Sequence, residues 1–151
     1  MAQKSSEKEL DARVNEALNA ALQGKYIRKK AVGRGAYGEV WLCERVSDGV
    51  ACVAKVMSMD KMHRYESEVQ CLASCDHFAI VKLFDTIKAT IGPIIILDYA
   101  DGGDLSKSLK AHVSASPTPA LLSEEYVGAL FLQLALSVHH IHVRRMMHRD
   151  I

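Results

Sequence analysis

Glycines at positions 33, 35 and 38 interrupt a stretch that otherwise reads as extended chain, and they constrain the fold more than any other feature. Tyr26–Val32 precedes them and Val40-Trp41-Leu42-Cys43 follows, both rich in β-branched and aromatic residues. A glycine turn that leads from strand to strand has to close a hairpin. The turn Val32-Gly33-Arg34-Gly35-Ala36-Tyr37-Gly38 therefore predicts two adjacent antiparallel strands whose connecting backbone carries little side-chain cover.

The flanking pattern extends this hairpin into a small sheet. Tyr26–Val32, Gly38–Glu44 and Val50–Met57 read as strands, the last two separated by Ser47-Asp48-Gly49. Met62, Tyr65, Val69 and Leu72 then mark one face of a helix from roughly Asp60 to Cys75. Ile80–Lys88 and Ile94–Leu97 follow as strands joined through Gly92-Pro93. Short connections throughout predict an α+β unit, a small antiparallel sheet carrying a single helix.

Helical segments flank this unit. Ser6-Glu7-Lys8-Glu9 matches a capping box; Leu10, Val14, Ala17, Leu18, Ala21 and Leu22 then repeat at helical spacing until Gly24. One apolar stripe over about four turns is unstable alone and must dock, either on its own domain or on a second copy. After Asp101-Gly102-Gly103 a short helix is expected from Asp104 or Ser106 through Lys110. A polar loop, Ser114 to Pro119, precedes a long helix from Ser123, where Val127, Leu130, Phe131, Leu134, Val138 and Ile141 keep register. Ser116-Pro117 and Thr118-Pro119 read as solvated loop.

Composition excludes several classes of partner. With 151 residues and 49% hydrophobic content the chain can bury a core, and a net charge of +1 gives no footing for nucleic acid. No uninterrupted apolar run approaches the roughly 18–20 residues of a membrane span, and the polar N-terminus lacks a signal peptide's apolar stretch. A cytoplasmic protein is expected, with nuclear or cytoskeletal association open. Cys43, Cys52, Cys71 and Cys75 do not form paired zinc clusters and read as small apolar fillers; Cys43 and Cys52 could face each other across a hairpin, where a reducing compartment would keep them as thiols. His139, His140 and His142 point in different directions on a helix, so no metal site is expected.

Chemistry gathers at Lys55. On a strand, Val53, Lys55 and Met57 share a face, and a lysine just after a glycine-rich hairpin suits a phosphate ligand needing a compact charge. The same glycine spacing occurs in dinucleotide-binding oxidoreductases, but there a helix begins at the last glycine; here Val40–Cys43 continues as a strand.

With Lys55, the hinge-like segment Ile94-Ile95-Ile96-Leu97-Asp98-Tyr99-Ala100-Asp101-Gly102-Gly103-Asp104-Leu105 and the closing His148-Arg149-Asp150-Ile151, the chain resembles a eukaryotic protein kinase from Tyr26 to Ile151. Val53, the hinge and the His-Ile-His…His-Arg-Asp-Ile ending are most similar to the NIMA-related serine/threonine group. The resemblance implies an ATP site in which Val32, Gly33, Arg34, Gly35, Ala36, Tyr37 and Gly38 cover the phosphates and Lys55 binds them. It implies that Lys55 pairs with a helix glutamate, Glu68 with Glu66 in reserve. Val40 and Val53 would sandwich adenine, Leu97 would be the gatekeeper, and the Asp98 and Ala100 backbones would bond the adenine edge. Asp104 would reach the ribose or a basic substrate residue, or cap its helix. Asp150 would take the proton of a Ser/Thr hydroxyl on a protein substrate, and Arg149 would pair with an activation-loop phosphate. Phe78-Ala79 departs from the Pro-Asn that the family commonly has at this turn.

The organisation implied is an N-terminal helical extension (1–24), a kinase N-lobe (25–97), a hinge (98–103) and the start of an all-helical C-lobe (104–151). The ligands of Mg²⁺ would lie beyond Ile151, so this polypeptide alone is expected to be nearly inactive. A non-catalytic nucleotide-binding or regulatory module is the alternative.

Overall fold

The computed structural model describes residues 13–35, 38–114, 122–149 and 151. The capping box at 6–9, Leu10, Ala36, Tyr37, the two Ser/Thr-Pro pairs at 116–119 and Asp150 lie outside them. Five strands form one sheet: β1 (Tyr26–Gly35), β2 (Gly38–Arg45), β3 (Ala51–Val56), β4 (Leu83–Ala89) and β5 (Gly92–Asp98). Their order is β1-β2-β3-β5-β4, with every neighbouring pair antiparallel. Residues 13–22 are helical (α1), and α2 spans Met62–Ala73 after a 3₁₀ turn at Met59–Lys61. Helices α3 (Leu105–Ser114) and α4 (Glu124–Val143) follow. The fold is α+β, as the alternation of patterns implies.

Two compact units emerge. One holds the described residues up to Ser74 together with Lys82–Tyr99; the other holds Cys75–Val81 and the described residues from Ala100 onward. In the first unit both faces of the sheet are covered. Cys43, Cys52, Ala54, Ile94 and Ile96 share a buried cluster with Leu18 and Leu22 of α1 and with Tyr26. The opposite face packs Ile95, Met57 and Leu97 against Tyr65, Met62 and Val69 of α2. Alternation along β5 sends Ile94 and Ile96 one way and Ile95 the other, so a continuous isoleucine run is buried throughout.

Several boundaries differ from the sequence expectation. β4 starts at Leu83 instead of Ile80 because His77-Phe78-Ala79-Ile80 is a turn: the Ile80 N–H donates to the His77 carbonyl, 3.0 Å, and the Ala79 N–H to His77 Nδ1, 3.2 Å. β5 starts at Gly92, whose pairing with Ala89 continues the ladder through Pro93. β1 runs on through Gly35 because Gly33, Arg34 and Gly35 remain paired to β2, with register shifts at Arg28/Lys30 and Ala31/Gly33 absorbing the distortion. α3 continues four residues past Lys110 to Ser114, because Ala111-His112-Val113 offers no helix breaker.

In the second unit α4 is capped by Ser123, whose Oγ accepts the Tyr126 N–H at 3.2 Å, with Glu124 and Glu125 in the first turn, the favourable end for acids. It closes through Arg145 in the left-handed region, where the Arg145 and Met146 N–H groups reach the His142 and Ile141 carbonyls. No residue of α4 is buried. The expectation that nothing approaches membrane-span length needs correcting. By length and composition alone α4 qualifies, because Gln133, Ser137 and the histidines break its apolar run without adding charge.

Candidate active site

The first unit builds a charged pair on the α2 face of the sheet. Lys55 stands on β3 opposite Ile95, in register, so its side chain leaves the face that packs against α2. The packing of Tyr65 and Val69 sets the rotation of α2, and that rotation carries Glu68 over the same strand. Lys55 Nζ lies 2.7 Å from both Glu68 Oε1 and Oε2, with the two side chains 20% and 30% exposed. Partial burial and two-oxygen contact make this the strongest lysine–carboxylate pairing among the described residues. Glu66, the reserve partner, is exposed on another side of α2.

Around Lys55 the register places the other expected residues. Val40 is its direct partner on β2, and Val53 sits opposite Leu97 of β5; all three are half-buried. Gly38 opens β2 at φ +132°, where a Cβ would fall 1.9 Å from the Val56 carbonyl oxygen. That glycine is required by the closeness of β2 to β3, a reason the spacing of the glycine turn did not show. Val32 and Gly33 are exposed on β1, and a Cβ on Gly33 would meet nothing within 4 Å. Arg34 and Gly35 belong to the paired end of β1.

At the strand's end the Asp98 N–H donates to the Lys82 carbonyl at 2.9 Å, so the carbonyl is the backbone group of Asp98 with which to meet a ligand. Ala100 and Asp104 belong to the second unit and are exposed. Asp104 caps α3: its Oδ1 accepts the Lys107 N–H at 2.8 Å, and this bond holds its carboxyl below the usual carboxylate range. His148 and Arg149 are exposed, with Arg149 in the left-handed region at φ +66°.

The sequence reading missed contacts that depend on distant segments. Arg28 stacks over Trp41 at 4.3 Å and donates to the Asn15 side chain of α1, tying that helix to the sheet. In the second unit, the His77 and His140 rings lie 5.0 Å apart, joining the loop before β4 to α4. Neither contact has a local sequence signal.

A sequence model described as the protein kinase domain matches residues 26–151. A putative serine/threonine-protein kinase A from Trypanosoma brucei brucei is 39% identical over 132 residues, covering 84% of this chain and 30% of the relative. Human serine/threonine-protein kinase Nek5 is 35% identical over 132 residues, 84% of this chain and 18% of its own length. Mouse Nek1 is 33% identical over the same length, 84% of this chain and 11% of its own. The chain thus spans less than a third of these relatives.

Proposed function

Because the chain belongs to the protein kinase family, we propose that it contributes the ATP-gripping part of a serine/threonine kinase that transfers the γ-phosphoryl group to a protein hydroxyl. The observation that carries the reading is the Lys55–Glu68 pair on the α2 face of the sheet. A carboxylate so placed holds the ammonium extended, where it offers a fixed positive charge to the α- and β-phosphates without reorganising. The half-buried side chains of Val40, Val53 and Leu97 supply an apolar surface suited to adenine. Gly33, with open space where a Cβ would stand, would offer its backbone to the phosphates, and the family reading gives Val32, Arg34, Gly35, Ala36, Tyr37 and Gly38 a share in covering them. Asp98 and Ala100 would bond the adenine edge, and Asp104 would contribute to ribose or substrate in addition to its capping bond.

ATP brings an activated phosphoryl group; the chain's own part is to hold it and to orient the acceptor. Asp150 would accept the Ser/Thr hydroxyl proton as the oxygen attacks in line. Family chemistry also uses Mg²⁺, held by a catalytic-loop Asn and an Asp-Phe-Gly aspartate; these 151 residues contain no Asp-Phe-Gly sequence. The 151-residue polypeptide is therefore expected to bind nucleotide with little turnover. The kinase-domain match runs through α4, which supports a domain helix over a membrane span and fits a cytoplasmic setting.

Titration calorimetry of the 151-residue chain with ATP tests the reading. Lys55→Met should weaken binding by roughly tenfold or more, the worth of one charge-assisted contact, while Asp150→Asn leaves it unchanged. Equal affinity in the Lys55 variant and the unmodified chain would remove the basis for the assignment. Rapid phosphorylation of a protein substrate by the purified chain would overturn the expectation of low turnover.

A further inference from the structure

Helix α1 lies before the kinase-domain match, which begins at Tyr26, yet Leu18 and Leu22 are each only 1% exposed. What they cover is the sheet face opposite Lys55, and two of the residues beneath are Cys43 and Cys52. These are register partners on β2 and β3, both free thiols, 1% and 0% exposed. Directly opposed residues of an antiparallel pair share a face, with Cα atoms about 4.5–5.5 Å apart. A disulfide bridges roughly 4.4–6.8 Å. The pair has the spacing for a bridge; access and ionisation are what it lacks. Burial pushes the Cys43 thiol up to about 11, which leaves little thiolate at neutral pH, while the Arg28 guanidinium nearby pulls the other way.

We infer that α1 is a displaceable cover over a cross-strand dithiol, and that Cys43 and Cys52 form a redox-modifiable site that opens when α1 leaves the sheet. Among the described residues the hold on α1 is local: Leu18, Leu22, the partly buried Ala21 and the Asn15 bond from Arg28. A single amphipathic helix of a few turns has little stability away from its docking face, so undocking and unwinding are one event. The five paired strands remain, closed on their other face by α2. Once water reaches Cys43 the penalty of burial is relieved, and the Ala54 N–H and the Arg28 guanidinium remain to favour the thiolate. That thiolate attacks a hydroperoxide such as hydrogen peroxide, breaking the O–O bond to give a sulfenic acid and, after proton transfer, water. The second thiol attacks the sulfenic sulfur, the S–S bond forms and a second water leaves. Two thiols and one hydrogen peroxide thus yield one disulfide and two waters. The bridge would pin β2 to β3, the strands whose opposite face carries Val40 and Lys55. This inference does not depend on nucleotide binding.

The test uses the full chain with Cys71→Ser and Cys75→Ser, so that only the covered pair reacts. Labelling by 5,5′-dithiobis(2-nitrobenzoate) is followed at increasing urea, beside global unfolding read from the β-sheet signal in far-ultraviolet circular dichroism, since Trp41 packs against the cluster that α1 covers and would report undocking as well. We expect labelling with a much weaker urea dependence than global unfolding, and at least a tenfold faster rate in Leu22→Asp. Brief hydrogen peroxide treatment should give an intramolecular Cys43–Cys52 disulfide by peptide mass spectrometry, faster in Leu22→Asp. Labelling that tracks global unfolding overturns the inference, as does oxidation to sulfinic acids or intermolecular bridges. Should Leu22→Asp fail to fold, the urea dependence in the chain retaining Leu22 still decides.

Discussion

At Gly92, φ +128° and a Cβ position 2.0 Å from the Met57 carbonyl oxygen leave no room for a side chain. Gly92→Ala is expected to destabilise the first unit by about 2 kcal/mol or more, read as a lower urea midpoint. Gly33 is the opposite case, with open space where a Cβ would stand. Gly33→Ala should leave the urea midpoint almost unchanged and weaken ATP binding in calorimetry; a stability loss matching that of Gly92→Ala would show that its glycine serves the chain. The trio at 33, 35 and 38 looked uniform in sequence, but Gly38 answers to Val56 on a neighbouring strand. The acidic partner of Lys55 shows the same limit. Glu66 and Glu68 both flank the apolar stripe of α2, and the carboxylate that reaches the ammonium is chosen by how Tyr65 and Val69 seat against Ile95.

Among the elements, α1 was legible as a helix but not as a layer. Its leucine stripe demanded a docking surface, and nothing local says whether that surface is a lobe or another copy. The structure places Leu18 and Leu22 in the cluster formed by β2, β3 and β5. Leu22→Ala should therefore cost about 2–5 kcal/mol in urea unfolding of the full chain, as for any fully buried leucine. A change below about 0.5 kcal/mol would mean α1 contributes no packing. Strand cores were readable because alternation and glycine or proline breaks are local signals. Strand ends were less so: the His77–Ile80 turn displaces the start of β4, and cross-strand pairing carries β1 past Val32.

For the whole molecule, the division into a sheet unit and a helical unit follows the change of periodicity near Gly102-Gly103, while the loop Cys75–Val81 joins the helical unit through packing the linear order conceals. The second unit leaves Phe131 and Leu132 of α4 69% and 59% exposed. Such a patch favours association. Phe131→Glu with Leu132→Lys should raise the monomer fraction by light scattering at high concentration, with the first unit's urea midpoint unchanged. Equal association in both chains would show that the α4 surface is not responsible. The sequence alone determined the glycine hairpin, the helical stripes and the kinase-like order of Lys55, the hinge and His148-Arg149-Asp150, because turn chemistry and periodicity act over a few residues. The tertiary structure decided that Glu68 meets Lys55, that Cys43 faces Cys52 and that α1 roofs them. Those choices rest on hydrogen-bond register and on the seating of side chains from distant segments, which no single segment encodes.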